Sequence, residues 1–257
     1  MSIFEAAQGP IEREPWRRIA ADGNLLAAVL VVTVGLAALA DLPLWAAVPA
    51  ALAVTSGALW RFHSRGTASH RFGLANWVTL FRLNLVALML VAVWPGEPDI
   101  VQSWLLFLIA ATALALDGVD GWLARRRREA SEVGERFDMG ADTAFTIITS
   151  LCLVAFGLVG AWVLLLGLLR PAFATAGRLW PALRTPLPAS RGRKIACAGS
   201  LACLVAGLAP PLAPLAPALA VLALVQLVWS FGRDLRFLIL RRGAVARPAA
   251  TRNRTQP

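Results

Sequence analysis

The chain has 257 residues, of which 58% are hydrophobic and 16% charged, whereas a soluble domain lies nearer about 45–50% and about 25%. That apolar excess is too large to hide in one core of this size, and the mean hydropathy of +0.66 agrees, which argues against a soluble enzyme, a disordered chain or a disulfide scaffold. The net charge of +10 lies in short runs between apolar segments, almost all of it arginine, with Lys194 the sole lysine; this pattern suits a membrane face and not nucleic acid.

Residues 1–23 are polar and mixed in charge, and Pro10 and Pro15 limit any interfacial helix over 4–20 to a short one. The first apolar run starts near Asn24 with no convincing cleavage pattern after it, so it reads as a retained anchor. Eight spans are expected, at 24–40, 44–60, 76–94, 101–124, 137–158, 160–178, 195–209 and 217–240. Each lies near the ~20 residues that a helix needs to cross a bilayer. Asp41-Leu42-Pro43 separates the first two, Pro95-Gly96-Glu97-Pro98 the third and fourth, and Pro210-Pro211 through Pro217 the last two. Arg170 and Pro171 interrupt the sixth. The fold class is therefore all-α, a polytopic membrane bundle of about eight helices, with 61–75 a cytoplasmic linker and 241–257 a disordered basic tail.

Orientation follows from counting. With the N-terminus inside, the outer loops 41–43, 95–100, 159 and 210–216 hold no Lys or Arg. The inner segments 1–23, 61–75, 125–136, 179–194 and 241–257 hold nearly all of them, which places both termini in the cytoplasm and the chain in the cell's inner membrane. Arg82, Arg233 and Arg236 lie near inner span ends, where they can snorkel; Arg170 lies deeper. Trp60, Trp77, Trp94, Trp104, Trp122 and Trp180 fall near span ends, as an aromatic belt would. Cys152, Cys197 and Cys203 sit in apolar runs and read as small buried hydrophobes. His63 and His70 make a poor zinc site.

Acidic residues are scarce, yet Asp117, Asp120, Asp138 and Asp142 gather at the inner ends of two successive spans. Spacings of three and four put each pair on one helix face, and the polar turn 125–136 lets antiparallel neighbours bring the two faces together. Four unpaired carboxylates there would repel one another and suffer desolvation, so something positive must lie among them. Nearby arginines can serve, in a network that closes the helix pair. Divalent metal fits better, because hard carboxylate oxygens suit Mg²⁺ or Mn²⁺, and four of them can bridge two ions about 4 Å apart.

The full motif reads Asp117-x2-Asp120-Gly121-x2-Ala124-Arg125-x8-Gly134-x3-Asp138-x3-Asp142. It resembles the signature of the CDP-alcohol phosphotransferase family at every defining position. The motif covers 26 residues, and the compatible six-helix core covers 76–240, leaving the two helices of 24–60 outside it with no assigned function. Asn76-x2-Thr79-x2-Arg82 opens the first core span and resembles a pattern often carried by bacterial members; Asn76 suits helix capping as well as substrate contact.

The resemblance implies a membrane enzyme of phospholipid synthesis that moves a substituted phosphate group from a CDP-linked donor to an alcohol and releases CMP. It implies that Asp117, Asp120 and Asp138 bind metal, that Asp142 joins them and is the general base, and that the ions are two Mg²⁺ or Mn²⁺. It places CDP contacts at Asn76, Thr79, Gly121, Arg125, Ser131 and Gly134, with Gly121 also suited to tight helix packing and Gly134 suited to turning the chain into the next helix. Arg126, Arg127 and Arg128 read chiefly as positive-inside residues. The basic stretch 178–194 reads either as an acceptor pocket, with Arg170, Arg191 and Lys194, or as a site for anionic headgroups. The implied donor is CDP-diacylglycerol; a soluble CDP-alcohol with a diacylglycerol acceptor shares the motif, and a scaffold that keeps the motif as a helix clamp is a third reading. A homodimer is expected from the family. Phosphatidylglycerophosphate synthases commonly carry Asp-Pro-Leu-Ala-Asp-Lys at the last two aspartates, whereas this chain has Asp138-Met139-Gly140-Ala141-Asp142-Thr143, so the acceptor stays open.

Overall fold

In lipid a backbone must satisfy its own hydrogen bonds, and long apolar runs with few strand formers do so as helices. The computed structural model describes residues 15–65, 73–93, 100–127, 131–169, 172 and 191–245, and every regular element among them is helical. In chain order these are α1 (Pro15–Leu39), α2 (Leu44–Arg65), α3 (Leu74–Ala92), α4 (Ile100–Arg127) and α5 (Glu132–Ala155). A 3₁₀ turn, Ala161–Val163, leads into helical residues 164–169. Then come α6 (Arg191–Gly207), a second 3₁₀ segment (Pro210–Leu215) and α7 (Ala216–Val245).

Among the described residues, four stretches are long and apolar enough to cross a membrane: Leu74–Ala92, Ile100–Arg127, Val133–Ala155 and Pro210–Arg233. Asn24–Leu39, Leu44–Trp60 and Ile195–Gly207 are shorter apolar helices. The chain is an integral membrane helical bundle, and each expected span meets a helical segment. The sixth is seen only to residue 169, and Arg170 lies outside the described residues, as does the break at Pro95 to Pro98.

Several boundaries differ from expectation. Pro15 does not limit a short interfacial helix but starts α1, where its missing N–H costs nothing, and α1 runs on unbroken to Leu39. The turn expected over 125–136 is much shorter, because α4 continues to Arg127 and α5 begins at Glu132. At the C-terminal end, α7 extends to Val245, so residues 241–245 are helical and not part of a disordered tail. Between α1 and α2 the chain reverses as expected, with Asp41 at φ 48, a left-handed conformation that short polar side chains tolerate.

Helix α3 is the hub, packing against α1, α2, α4 and α5. Its C-terminal half joins the main apolar core, where Leu85, Val86 and Met89 meet Leu106 and Ala110 of α4, Phe145 and Leu153 of α5, and residues of α6 and α7. Two smaller clusters tie the N-terminal pair to α3. Ala37, Ala40 and Ala47 pack on Leu88 and Val91, and Ala58 packs with Trp77, Leu80 and Phe137. Trp77 is only 6% exposed, so it is a core residue and not part of an aromatic belt; Trp60, Trp104 and Trp122 are exposed as a belt requires. Trp94 and Trp180 lie outside the described residues. Cys152 is buried and all three cysteines are free thiols.

Small residues let helices approach closely. A Cβ on Gly167 would collide with Ile147 Cγ1 and lie 3.0 Å from the Ile147 Cα, which is backbone and cannot yield cheaply. Gly167→Ala should therefore lower stability by about 1–3 kcal/mol. Thermal unfolding in detergent checks this, with Gly57→Ala, which meets nothing within 4 Å, leaving the midpoint unchanged or slightly raised.

Candidate active site

The site forms where the N-terminal ends of α3 and α5 meet the C-terminal end of α4. Helix α5 owes its start to Ser131, an extended residue at φ −135 and ψ 152 whose Oγ accepts the Gly134 N–H at 3.1 Å. This cap satisfies one of the orphan donors of the first turn. Gly134 therefore lies inside that first turn and does not make the turn into the helix. Asp138 and Asp142 follow on α5, opposite Asp117 and Asp120 of α4.

A guanidinium sits among them. Arg82 of α3 has a fully buried side chain, and it does not snorkel to an interface. Its Nη1 donates to Asp117 Oδ1 and lies 3.7 Å from Asp120 Oδ2. Its Nη2 donates to Asp138 Oδ1 at 2.7 Å and lies 3.3 Å from Asp142 Oδ1. One side chain thus binds carboxylates from two other helices, in the forked geometry that guanidinium favours. Asp120 is the most buried of the four, at 4%, and its Oδ2 accepts from Thr79 Oγ1 at 2.9 Å.

The residues fit a divalent ion. Asp117, Asp120 and Asp138 each offer a carboxylate oxygen, and these oxygens lie within 4.8 Å of one another. The other oxygen of Asp120 is buried with no hydrogen-bond partner, a costly arrangement that a cation relieves. Arg82 offsets one of four negative charges and three remain, so the cluster still attracts cations. Hard oxygen donors suit Mg²⁺ or Mn²⁺ over softer metals.

The other expected contacts surround this cluster. Asn76 Oδ1 and Ser131 Oγ both approach Gly134, within 3.2 and 3.1 Å of where a Cβ would stand. Those three residues therefore form one knot between α3 and α5. Thr79 faces Asp120 and donates to that carboxylate, which places it at the edge of the aspartate cluster. At the end of α4, exposed Arg125 lies across Gly121, its Nη1 3.4 Å from the position of an added Cβ. Arg126 instead stacks over the Trp122 ring at 4.9 Å. The side chains of Arg191 and Lys194, and all of Arg170, fall outside the described residues.

A family model described as CDP-alcohol phosphatidyltransferase matches residues 72–229. The chain belongs to this family. Membership places it among transferases of phospholipid synthesis, a family known for divalent-metal dependence, and the match begins after α2, so the N-terminal pair lies outside it. Two proteins from strains of Mycobacterium tuberculosis, each named "Probable phosphatidylglycerophosphate synthase", are 37% identical over 129 residues. That stretch is 48% of this chain and 59% of each relative, so the match spans about three fifths of their length. No solved structure matches the chain.

Arg82 turns inward among the carboxylates, where its place near a span end suggested snorkelling. Its signal was present: Asn76, Thr79 and Arg82 recur every three residues along the inner half of one helix, and four carboxylates needed a cation. Thr79→Val removes the hydroxyl that donates to Asp120 and should cost about 1–2 kcal/mol. Denaturation in detergent with chelator checks it, and Thr79→Ser should retain most of the lost stability.

Proposed function

We propose that the protein transfers a phosphatidyl group from CDP-diacylglycerol to an acceptor alcohol and releases CMP, at the cytoplasmic face of the membrane. The observation that carries this reading is the convergence of Asp117, Asp120, Asp138 and Asp142 around the buried Arg82 guanidinium, in the order and spacing of the family signature. The names of the two mycobacterial relatives favour glycerol phosphate as acceptor, although Met139, Gly140 and Thr143 depart from the Pro, Leu and Lys common in such enzymes.

In this reading Asp117, Asp120 and Asp138 hold the metal, with Asp142 beside them. Bound ions supply charge neutralisation for the pyrophosphate and the departing nucleotide. Asp142 takes the proton from the acceptor hydroxyl. The hydroxyl oxygen then bonds to the phosphorus next to diacylglycerol, and the bond from that phosphorus to the bridging oxygen breaks, with its electron pair leaving on CMP. Arg125, exposed beside Gly121, pairs with a phosphate of the donor. Gly121 keeps that side clear for the nucleotide, with no side chain between it and Arg125. Ser131 and Asn76 hold the start of α5, and so fix Asp138 and Asp142 relative to α3. Arg170, Arg191 and Lys194 are proposed to bind the acceptor, and two copies to form a homodimer.

The four ion pairs of Arg82 favour one competing reading, in which the motif is a helix clamp in a non-catalytic scaffold. Purified protein with labelled CDP-diacylglycerol, Mg²⁺ or Mn²⁺ and a panel of acceptors separates them. CMP release is expected with one acceptor, glycerol phosphate first. Asp142→Asn should fold and lose at least about 100-fold in turnover. Release with CDP-choline and diacylglycerol would reverse donor and acceptor; no release with any donor would favour the scaffold.

A further inference from the structure

We infer that Arg82 is a built-in counter-cation that sets how tightly the four-aspartate site holds divalent metal. This rests on the metal-dependent reading above and goes beyond it, because it assigns a role to a residue outside the aspartate motif. Arg82 is a positioning residue, acting through the carboxylates.

Three observations carry the inference. Arg82 is fully buried, yet both of its terminal nitrogens are committed to carboxylates of α4 and α5. The oxygens it approaches belong to Asp117, Asp120 and Asp138, the three residues whose oxygens converge within 4.8 Å, and to Asp142. Guanidinium and metal therefore draw on the same small set of carboxylates. Finally, the side chain cannot escape the site easily: Leu80 and Leu85 beside it on α3 are buried in the helix-packing core, and Thr79 one turn before it is tied to Asp120.

Two consequences of opposite sign follow. A positive charge within 4 Å of the carboxylates repels an incoming cation and weakens its binding. The same charge relieves repulsion among the carboxylates when a chelator has taken the metal away. Removing it should therefore tighten metal binding and destabilise the metal-free protein. A side chain that merely held the ligands in place would behave differently, because its loss would scatter the carboxylates and weaken metal binding as well.

The test uses full-length protein in detergent micelles, with Mn²⁺ itself as the probe. Free Mn²⁺ is followed by electron paramagnetic resonance, and thermal midpoints are taken in EDTA and in saturating Mn²⁺. Arg82→Met should bind Mn²⁺ about tenfold or more tightly than the wild type. Its midpoint should fall in EDTA and recover in Mn²⁺. Arg82→Lys keeps the charge but loses the fork, so its Mn²⁺ affinity should stay within about threefold of wild type while its EDTA midpoint falls. If Arg82→Met folds only with metal, it is purified in Mn²⁺ and its affinity read by competition with a chelator. Unchanged or weaker Mn²⁺ binding by Arg82→Met would overturn the inference, as would equal tightening in Arg82→Lys. A wild type that binds no Mn²⁺ would overturn the metal-dependent reading too, whereas binding by wild type with no tightening in Arg82→Met sinks this inference alone.

Discussion

A guanidinium without solvent contact in a membrane bundle must be met by anions, because the cost of burying it alone exceeds what packing can return. Arg82 is met by four carboxylates from two neighbouring helices. That single arrangement fixes how α3, α4 and α5 sit at their inner ends. It also explains why the carboxylates tolerate one another at a membrane boundary. The apolar core on the outer side of the same helices, from Leu85 to Leu153, then supplies packing that charge cannot.

The N-terminal helices take on meaning from the same constraint. They lie outside the family match, yet α2 packs on the helix that carries Thr79 and Arg82. Asn84 Nδ2 reaches Thr55 Oγ1 at 3.1 Å, a buried polar link between α2 and α3. Ala58 of α2 meets Trp77, Leu80 and Phe137, and so touches α3 and α5 just beneath the aspartates. The pair therefore buttresses the face of α3 that points away from the site, and holds Arg82 where its fork can meet both partners.

Much of this was legible in the sequence. Apolar run lengths located the helices, since a helix in lipid is nearly dictated by hydropathy. The spacing of three and four placed both aspartate pairs on single faces. What the sequence hid was long-range. Whether Arg82 snorkels or turns inward depends on which neighbour supplies anions, and Asp117 and Asp138 are 35 and 56 residues away. Trp77 read as a belt residue because it lies near a span end, but the added helix α2 covers it. The link between Thr55 and Asn84 has no local pattern at all. Ser131 lay within the turn expected over 125–136, together with charged Glu132, Glu135 and Arg136, and capping by its Oγ starts the helix there instead.

The central claim is that the aspartate cluster around Arg82 is where metal and the CDP group meet. Crystals grown with Mn²⁺ and a CDP-linked donor test it most directly, through the anomalous scattering of manganese. The account predicts anomalous peaks roughly 2 Å from oxygens of Asp117, Asp120 and Asp138, with the pyrophosphate beside them and Arg82 still paired to at least one carboxylate. Peaks elsewhere, or none while the nucleotide binds away from these aspartates, would contradict it.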